Sequence, residues 1–99
     1  MVVLRHDVRM ERVEVELFDR VGNVAVVRLP ERRAPGILIQ GDSLAIIAGD
    51  ARRLADAVRG GGDVQESADG LALQFAELLA YYASSLDAHG VPLPYNTED

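Results

Sequence analysis

The spacing of the apolar residues changes close to Gly41, and this change limits which folds are open to the chain. Residues 12–19 alternate apolar and polar side chains with a period of two, which is typical of a strand with one wet face. Beyond Gly41, apolar residues recur every three or four positions, as they do in amphipathic helices. Strands that come first and helices that come last indicate an α+β fold.

Three strands are predicted, over residues 12–19, 24–29 and 36–40. The first two would form a hairpin, because the segment between them holds Gly22 and Asn23, which are common turn residues. The third is short and nearly all apolar, as expected for a strand at the centre of a sheet or under a helix. Together they predict a three-stranded antiparallel sheet. Its buried face would be formed by the second strand and by three residues of the first, Val13, Val15 and Leu17.

Two helices are predicted to follow, over residues 43–59 and 68–89, with a flexible polar connector over residues 60–67. Asp42 or Ser43 would cap the first helix by accepting a backbone hydrogen bond. We expect both helices to pack on one face of the sheet, in the order β-β-β-α-α. The apolar stripe of the first helix consists of Leu44, Ile47, Ala48, Ala51, Leu54, Ala55 and Val58. The stripe of the second consists of Leu71, Phe75, Leu78, Leu79, Tyr82 and Leu86.

A chain of 99 residues is expected to form one domain, here over residues 12–95. Residues 1–11 would be either an N-terminal extension or an extra strand, and residues 96–99 a frayed tail. The prolines in residues 91–95 make that segment extended, so it would either add a short edge strand or lie over the sheet.

The formal net charge of −6 is unevenly distributed along the chain. Residues 1–59 sum to +1, whereas residues 60–99 contain seven acids and no basic residue and sum to −7. This distribution excludes a basic nucleic-acid-binding face as the main surface. The lack of cysteine in the sequence excludes disulfides and cysteine-ligated metals, and the two histidines lie far apart. No metal site and no cofactor is therefore predicted.

No apolar run in the sequence is long enough to span a bilayer. The first ten residues include Arg5, His6 and Asp7, which does not fit the apolar core of a signal peptide. A cytoplasmic protein without a membrane partner is the expectation.

Residues 41–44 spell GDSL, the short signature of the GDSL esterases, directly after an apolar strand. Such an enzyme would need Ser43 to be activated by a histidine that an acid orients, together with an oxyanion hole. Only His89 follows in the chain, with Asp87 two residues before it, and no oxyanion block is evident. We therefore predict a helix start at this motif, no catalytic residue and no enzyme.

A longer string over residues 35–44, taken with the preceding hairpin, resembles HicB-type antitoxin domains over about residues 12–58. In that family a Pro-Gly pair opens the third strand, and Gln-Gly-Asp-Ser/Thr-Leu leads into a helix. The resemblance implies the same strand-to-helix arrangement and a protein partner. The DNA-binding segment that would follow in that family is replaced here by the acidic second helix, so no nucleic-acid partner is expected there. The residues of this structural motif are Pro35, Gly36, Gln40, Gly41, Asp42 and Ser43.

Residues 10–95 also resemble a group of small bacterial proteins without an assigned function. The shared features are the hairpin, the Arg-Arg-x-Pro-Gly segment of residues 32–36, and the Leu-Pro-Tyr ending of residues 93–95. This second resemblance implies no activity.

The predicted function is a non-enzymatic protein-interaction module of the antitoxin, immunity or adaptor type. Its acidic surface would steer association with a basic partner. The alternative is a structural or small-ligand-sensing homodimer, because a core with few aromatics buries limited area and a second copy would add to it. The candidate partner-binding residues are Arg32, Arg33, Glu77, Tyr81 and Asp87.

Overall fold

The structure is a computed structural model that describes residues 9–97. It contains β1 (Glu16–Val21), β2 (Val24–Arg28), β3 (Gly36–Ile39), α1 (Gly41–Gly60) and α2 (Val64–Ala88). The three strands form one antiparallel sheet in the order β1-β2-β3, which confirms the predicted α+β class and the order of elements. Residues 9–15 form no strand, and the rest of the proposed N-terminal extension lies outside the described residues.

The hairpin between β1 and β2 contains a bulge that changes which side chains of β1 face the helices. Leu17 pairs with Val27, whereas Asp19 pairs with Val26, so Phe18 is the extra residue. Phe18 packs against the buried cluster, while Leu17 stays half exposed. The predicted buried face of β1 is therefore wrong. Two of its residues precede the strand and are also exposed, namely Val13 and Val15.

The core lies between β2 and the last third of α2. Val26 and Leu86 are fully buried, and Tyr82 is nearly so. The Tyr82 hydroxyl donates a hydrogen bond to the carbonyl oxygen of Pro35, which ties α2 to the residue before β3. Three residues of the C-terminal segment complete the packing, namely Val91, Leu93 and Tyr95. This segment therefore lies over the core and adds no strand, which decides between the two expectations for it.

α1 begins earlier than predicted, directly after β3. Its N-cap residue is Gln40, whose side chain makes no capping hydrogen bond, so the prediction of Asp42 or Ser43 as N-cap is wrong. Asp42 accepts from the Ser43 amide at 2.8 Å within the first turn. The Asn23 side-chain amide donates to Ser43 Oγ at 3.1 Å, and the Gln40 amide donates to the Asn23 carbonyl at 2.9 Å. These bonds fix the start of α1 on the turn between β1 and β2.

The predicted flexible connector over residues 60–67 is also wrong, because only residues 61–63 separate the two helices. Gly61 and Gly62 adopt φ angles of 138° and 104°, which reverse the chain at little cost for glycine. Asp63 then caps α2 by accepting from the Glu66 amide at 2.9 Å. The helices return alongside each other, and the Gln74 side chain donates to the Asp50 carboxylate between them.

None of the helices in residues 9–97 is long and apolar enough to cross a membrane.

Candidate functional site

The apolar residues of α1 form two stripes with different surroundings. Ile47 and Leu54 are half buried and Ala57 is buried, on the side of the helix that meets α2. The other stripe is mostly exposed, and its two large residues, Leu44 and Val58, are 55% and 67% exposed. The single packed stripe predicted for this helix is therefore wrong, because only part of it has a partner. The second stripe consists of Leu44, Ala48, Ala51, Ala55 and Val58.

α2 divides in the same way. Tyr82 and Leu86 are buried in the core, as predicted, whereas Phe75 and Leu79 are 52% and 53% exposed. At 100° per residue, both lie on the same side of α2 as Ala72, away from the side that meets α1. The predicted stripe of α2 thus also packs only in part. This second stripe, exposed except for the half-buried Ala68, consists of Ala68, Ala72, Phe75 and Leu79.

The two exposed stripes lie on one side of the helix pair. Gln74 of α2 and Asp50 of α1 lie at the same height along the helix pair, because their side chains are hydrogen-bonded. Counting 100° per residue from this contact, both stripes point toward the same flank of the pair. We call this surface, made of the two stripes, the apolar face. Each of its residues is Leu, Val, Phe or Ala, so the face carries no charge. Leu44, Phe75 and Leu79 lie at the end near the sheet, the alanines lie between the two ends and toward the connector, and Val58 lies next to the connector.

A groove of 490 Å³ lies on the opposite flank, between α1, α2 and the β1–β2 turn. Glu77 and Tyr81 both line it, so the structure brings these two predicted partner-binding residues together. The Tyr81 hydroxyl is buried and has no hydrogen-bond partner in the described residues. Burial raises the pKa of Tyr81, and the nearby Asp19 carboxylate raises the same pKa further.

The three other predicted partner-binding residues lie elsewhere. Arg33 lines a separate pocket of 630 Å³ with Arg28 and the C-terminal segment. Arg32 is exposed in the loop before β3, and Asp87 is exposed in the last turn of α2. The five residues therefore do not form one surface.

The arginine pocket is partly neutralised by an ion pair. Arg28 binds the Glu16 carboxylate, and its guanidinium lies 5.3 Å from the centre of the Phe18 ring. The hydrogen bond from Arg28 lowers the pKa of Glu16 and raises the pKa of Arg28. Arg28 also donates to the Arg33 carbonyl at 3.1 Å, so its main contacts hold the loop to the sheet.

The residues of an esterase-like triad are not hydrogen-bonded to one another. Ser43 Oγ accepts from Asn23, at the start of α1. His89 Nε2 lies 2.9 Å from the Phe18 carbonyl, beyond the end of α2. The structural motif of residues 35–43 instead forms a link in the fold, in which Pro35 is buried and Gly36 begins β3.

A second apolar groove, of 380 Å³, borders the apolar face on the side of β3. Phe75 and Leu79 line it from α2, Ile37 lines it from β3, and Tyr95 lines it from the C-terminal segment. The apolar face and this groove were missed by sequence reasoning. The available signal was the width of the stripe in α1, which exceeds what one neighbouring helix can cover.

One family model matches the chain, over residues 10–95, and its description reads "Family of unknown function (DUF6959)". This description names no activity, no partner and no HicB-type domain. No curated protein and no solved structure matches the chain. Because the match covers most of the sequence, the protein belongs to the DUF6959 family.

Proposed function

We propose that the protein is a non-enzymatic protein-interaction module that uses the apolar face. The observation that carries this proposal is the exposure of Leu44, Val58, Phe75 and Leu79 on one uncharged flank of the helix pair. Contiguous exposed apolar patches of this kind mark interaction sites in soluble proteins. At about 25 cal/mol per Å², a half-exposed large side chain gains roughly 2 kcal/mol when a partner covers it.

The small core supports the same proposal. The fully buried large side chains among the described residues are Val26 and Leu86. A second surface that excludes water would add substantially to so small a buried area. A partner would therefore contribute to the stability of the fold as well as to its function.

A basic partner of the HicB-like antitoxin or immunity type is the other form of this proposal, and the net charge of −6 is its support. The described acids of α2 and its cap, however, are spread over the whole length of the helix, namely Asp63, Glu66, Asp69, Glu77 and Asp87. Asp63 caps the helix, Asp69 accepts from Gln65, and Glu77 lines the groove on the other flank. Their spread along α2 gives a basic partner no concentrated acidic site, so the apolar face is the better supported docking surface.

The test is a tagged pull-down of the full chain at low and high salt, combined with the mass of the purified protein by light scattering. Ala72→Glu places a charge on the apolar face, and Leu73→Glu places it on the adjacent, outward side of the same helix. We expect an assembly, with itself or with another protein, that Ala72→Glu weakens and Leu73→Glu leaves intact. A wild-type chain that is monomeric and recovers no partner would overturn the proposed function.

A further inference from the structure

We infer that the occupant of the apolar face is a second copy of this chain, packed antiparallel across a two-fold axis. This inference rests on the proposed function and names its partner. The two helix pairs would then form a four-helix arrangement, with the sheets of the two copies at opposite ends.

The lack of charged residues in the apolar face favours a copy over a basic protein at this surface. Two copies each carry a formal charge of −6, so they can approach only through a surface without acids. The apolar face is such a surface, because its residues are all uncharged. A basic partner would find no acid there to pair with, and its charges would be desolvated without compensation.

The shape of the apolar face is complementary to itself. On α2, the bulky Phe75 and Leu79 lie near the sheet and the small Ala68 and Ala72 lie toward the connector; on α1, Leu44 and Val58 lie at the two ends and Ala51 lies midway between them. A two-fold axis perpendicular to the helices places Phe75 and Leu79 of each copy against the alanines of the other copy's α2, and Leu44 of each copy near Val58 of the other. Isologous interfaces need such self-complementarity, and alanines allow the helices to approach closely.

The face is large enough to supply much of a dimer interface. The exposed parts of its four large side chains amount to on the order of 400 Å², and the alanines and the adjoining groove residues add to this area. A standard interface buries roughly 800 Å² of each partner, so the large side chains alone supply about half of it. The large side chains at 52% to 67% exposure supply the greater part of the apolar area.

The first test measures the dissociation constant by sedimentation equilibrium for four variants. Ala51→Glu and Ala72→Glu place a charge inside the apolar face, and Ala45→Glu and Leu73→Glu place it outside on the same helices. Glutamate is a good helix former, so all four should keep the helical circular dichroism of the wild type. We expect a wild-type dimer, at least tenfold weaker association for the first pair, and a change of less than threefold for the second.

The second test separates the apolar face from the free edge of β3, which offers another route to a dimer. The Gln40 amide bonds to Asn23, so the alternation of an antiparallel pair directs the amides of Ile37 and Ile39 to the free edge. A dimer through the edge would protect these two amides from hydrogen exchange as concentration rises. A dimer through the apolar face leaves their exchange unchanged, while the Leu38 amide is protected in both cases.

The results of these tests distinguish a failure of the inference from a failure of the proposed function. The inference is overturned by a monomeric wild type, by equal effects of the two variant pairs, or by concentration-dependent protection of Ile37 and Ile39. A monomer that binds another protein in an Ala72→Glu-sensitive way overturns the inference and leaves the proposed function standing.

Discussion

Two adjacent tyrosines of α2 have hydroxyl groups in opposite situations. The Tyr82 hydroxyl donates to the Pro35 carbonyl inside the core. The Tyr81 hydroxyl is buried beside Asp19 and Ser85 without a hydrogen-bond partner among the described residues. A satisfied buried hydroxyl contributes to stability, whereas an unsatisfied one costs free energy, so the same chemical change should have different effects at the two positions.

Tyr81→Phe is expected to leave the free energy of unfolding unchanged or to raise it by up to about 1 kcal/mol. Burial raises the pKa of the Tyr81 phenol above its ordinary value of 10.0, so the folded state holds this proton more tightly than the unfolded state. Its contribution is complete below pH 10 and is lost as the pH rises through the raised pKa. The variant should therefore lose less stability than the wild type above pH 10, as measured by urea unfolding at neutral and alkaline pH.

Tyr82→Phe is the matched control, because it removes the same atom one residue away. It is expected to lower the free energy of unfolding by about 1–2 kcal/mol, since the Pro35 carbonyl loses its donor. Equal losses for the two variants would show that the Tyr81 hydroxyl has a compensating partner in solution.

At the scale of elements, the ends of the strands can be predicted where glycine and proline residues mark them. The glycine at position 22 adopts a φ of 55° in the turn, and Gly36 begins β3 after the buried Pro35. The sequence predicts too early a start for β1, at residue 12, because residues 12–15 continue the alternation but do not pair with β2. The predicted buried face is wrong because Phe18 forms a bulge. An extra residue exchanges the faces of the strand, and the alternation of the sequence alone does not show which residue is unpaired.

The start of α2 was missed although a local signal was present. Asp63 and Glu66 have the spacing of a capping box, with an acid at the N-cap and a second acid three residues later. The preceding glycines indicate a loop, and Val64 is the single apolar residue in the first turn of α2, which otherwise contains Gln65, Glu66 and Ser67. The structure shows that the Asp63 carboxylate accepts from the Glu66 amide, as in the first half of that motif.

Asp63→Ala is therefore expected to lower the free energy of unfolding by about 1 kcal/mol and to fray the first turn of α2. Asp87→Ala is the control at the other end of the helix. Its carboxylate lies in the last turn, where a negative charge opposes the helix dipole, so its removal should be neutral or stabilising by a few tenths of a kcal/mol. Urea denaturation of both variants at neutral pH measures the difference. Losses of equal size would mean that the Asp63 cap contributes nothing specific.

At the scale of the whole molecule, the lengths of the elements explain why the apolar face exists. Strands of four to six residues span roughly 13–20 Å, whereas α1 and α2, with 20 and 25 residues, span roughly 30 and 38 Å. The sheet can cover only part of such helices. The sequence predicts apolar stripes on both helices and a sheet. The strands are too short, however, for the sheet to cover these stripes along their whole length. The candidate site was thus missed as a whole, and the predicted partner-binding residues Glu77 and Tyr81 line the groove on the opposite flank.

This arrangement also predicts how association responds to salt. Two copies that each carry −6 repel through their surfaces while the apolar face itself has no ion pair to lose. Raising the salt concentration screens that repulsion, so the dissociation constant of the dimer should fall by a few fold between low and physiological ionic strength. Sedimentation equilibrium at the two ionic strengths, with matched protein concentrations, measures the change.

Ala51→Glu sharpens this prediction, because it adds one negative charge per copy inside the contact. Its dissociation constant should depend more steeply on salt than that of the wild type, and Ala45→Glu should follow the wild-type slope. Complexes held by acids against a basic partner behave in the opposite way, since screening weakens them. An assembly that dissociates as salt rises would therefore assign the contact to the acidic residues of α2 and remove the apolar face from it.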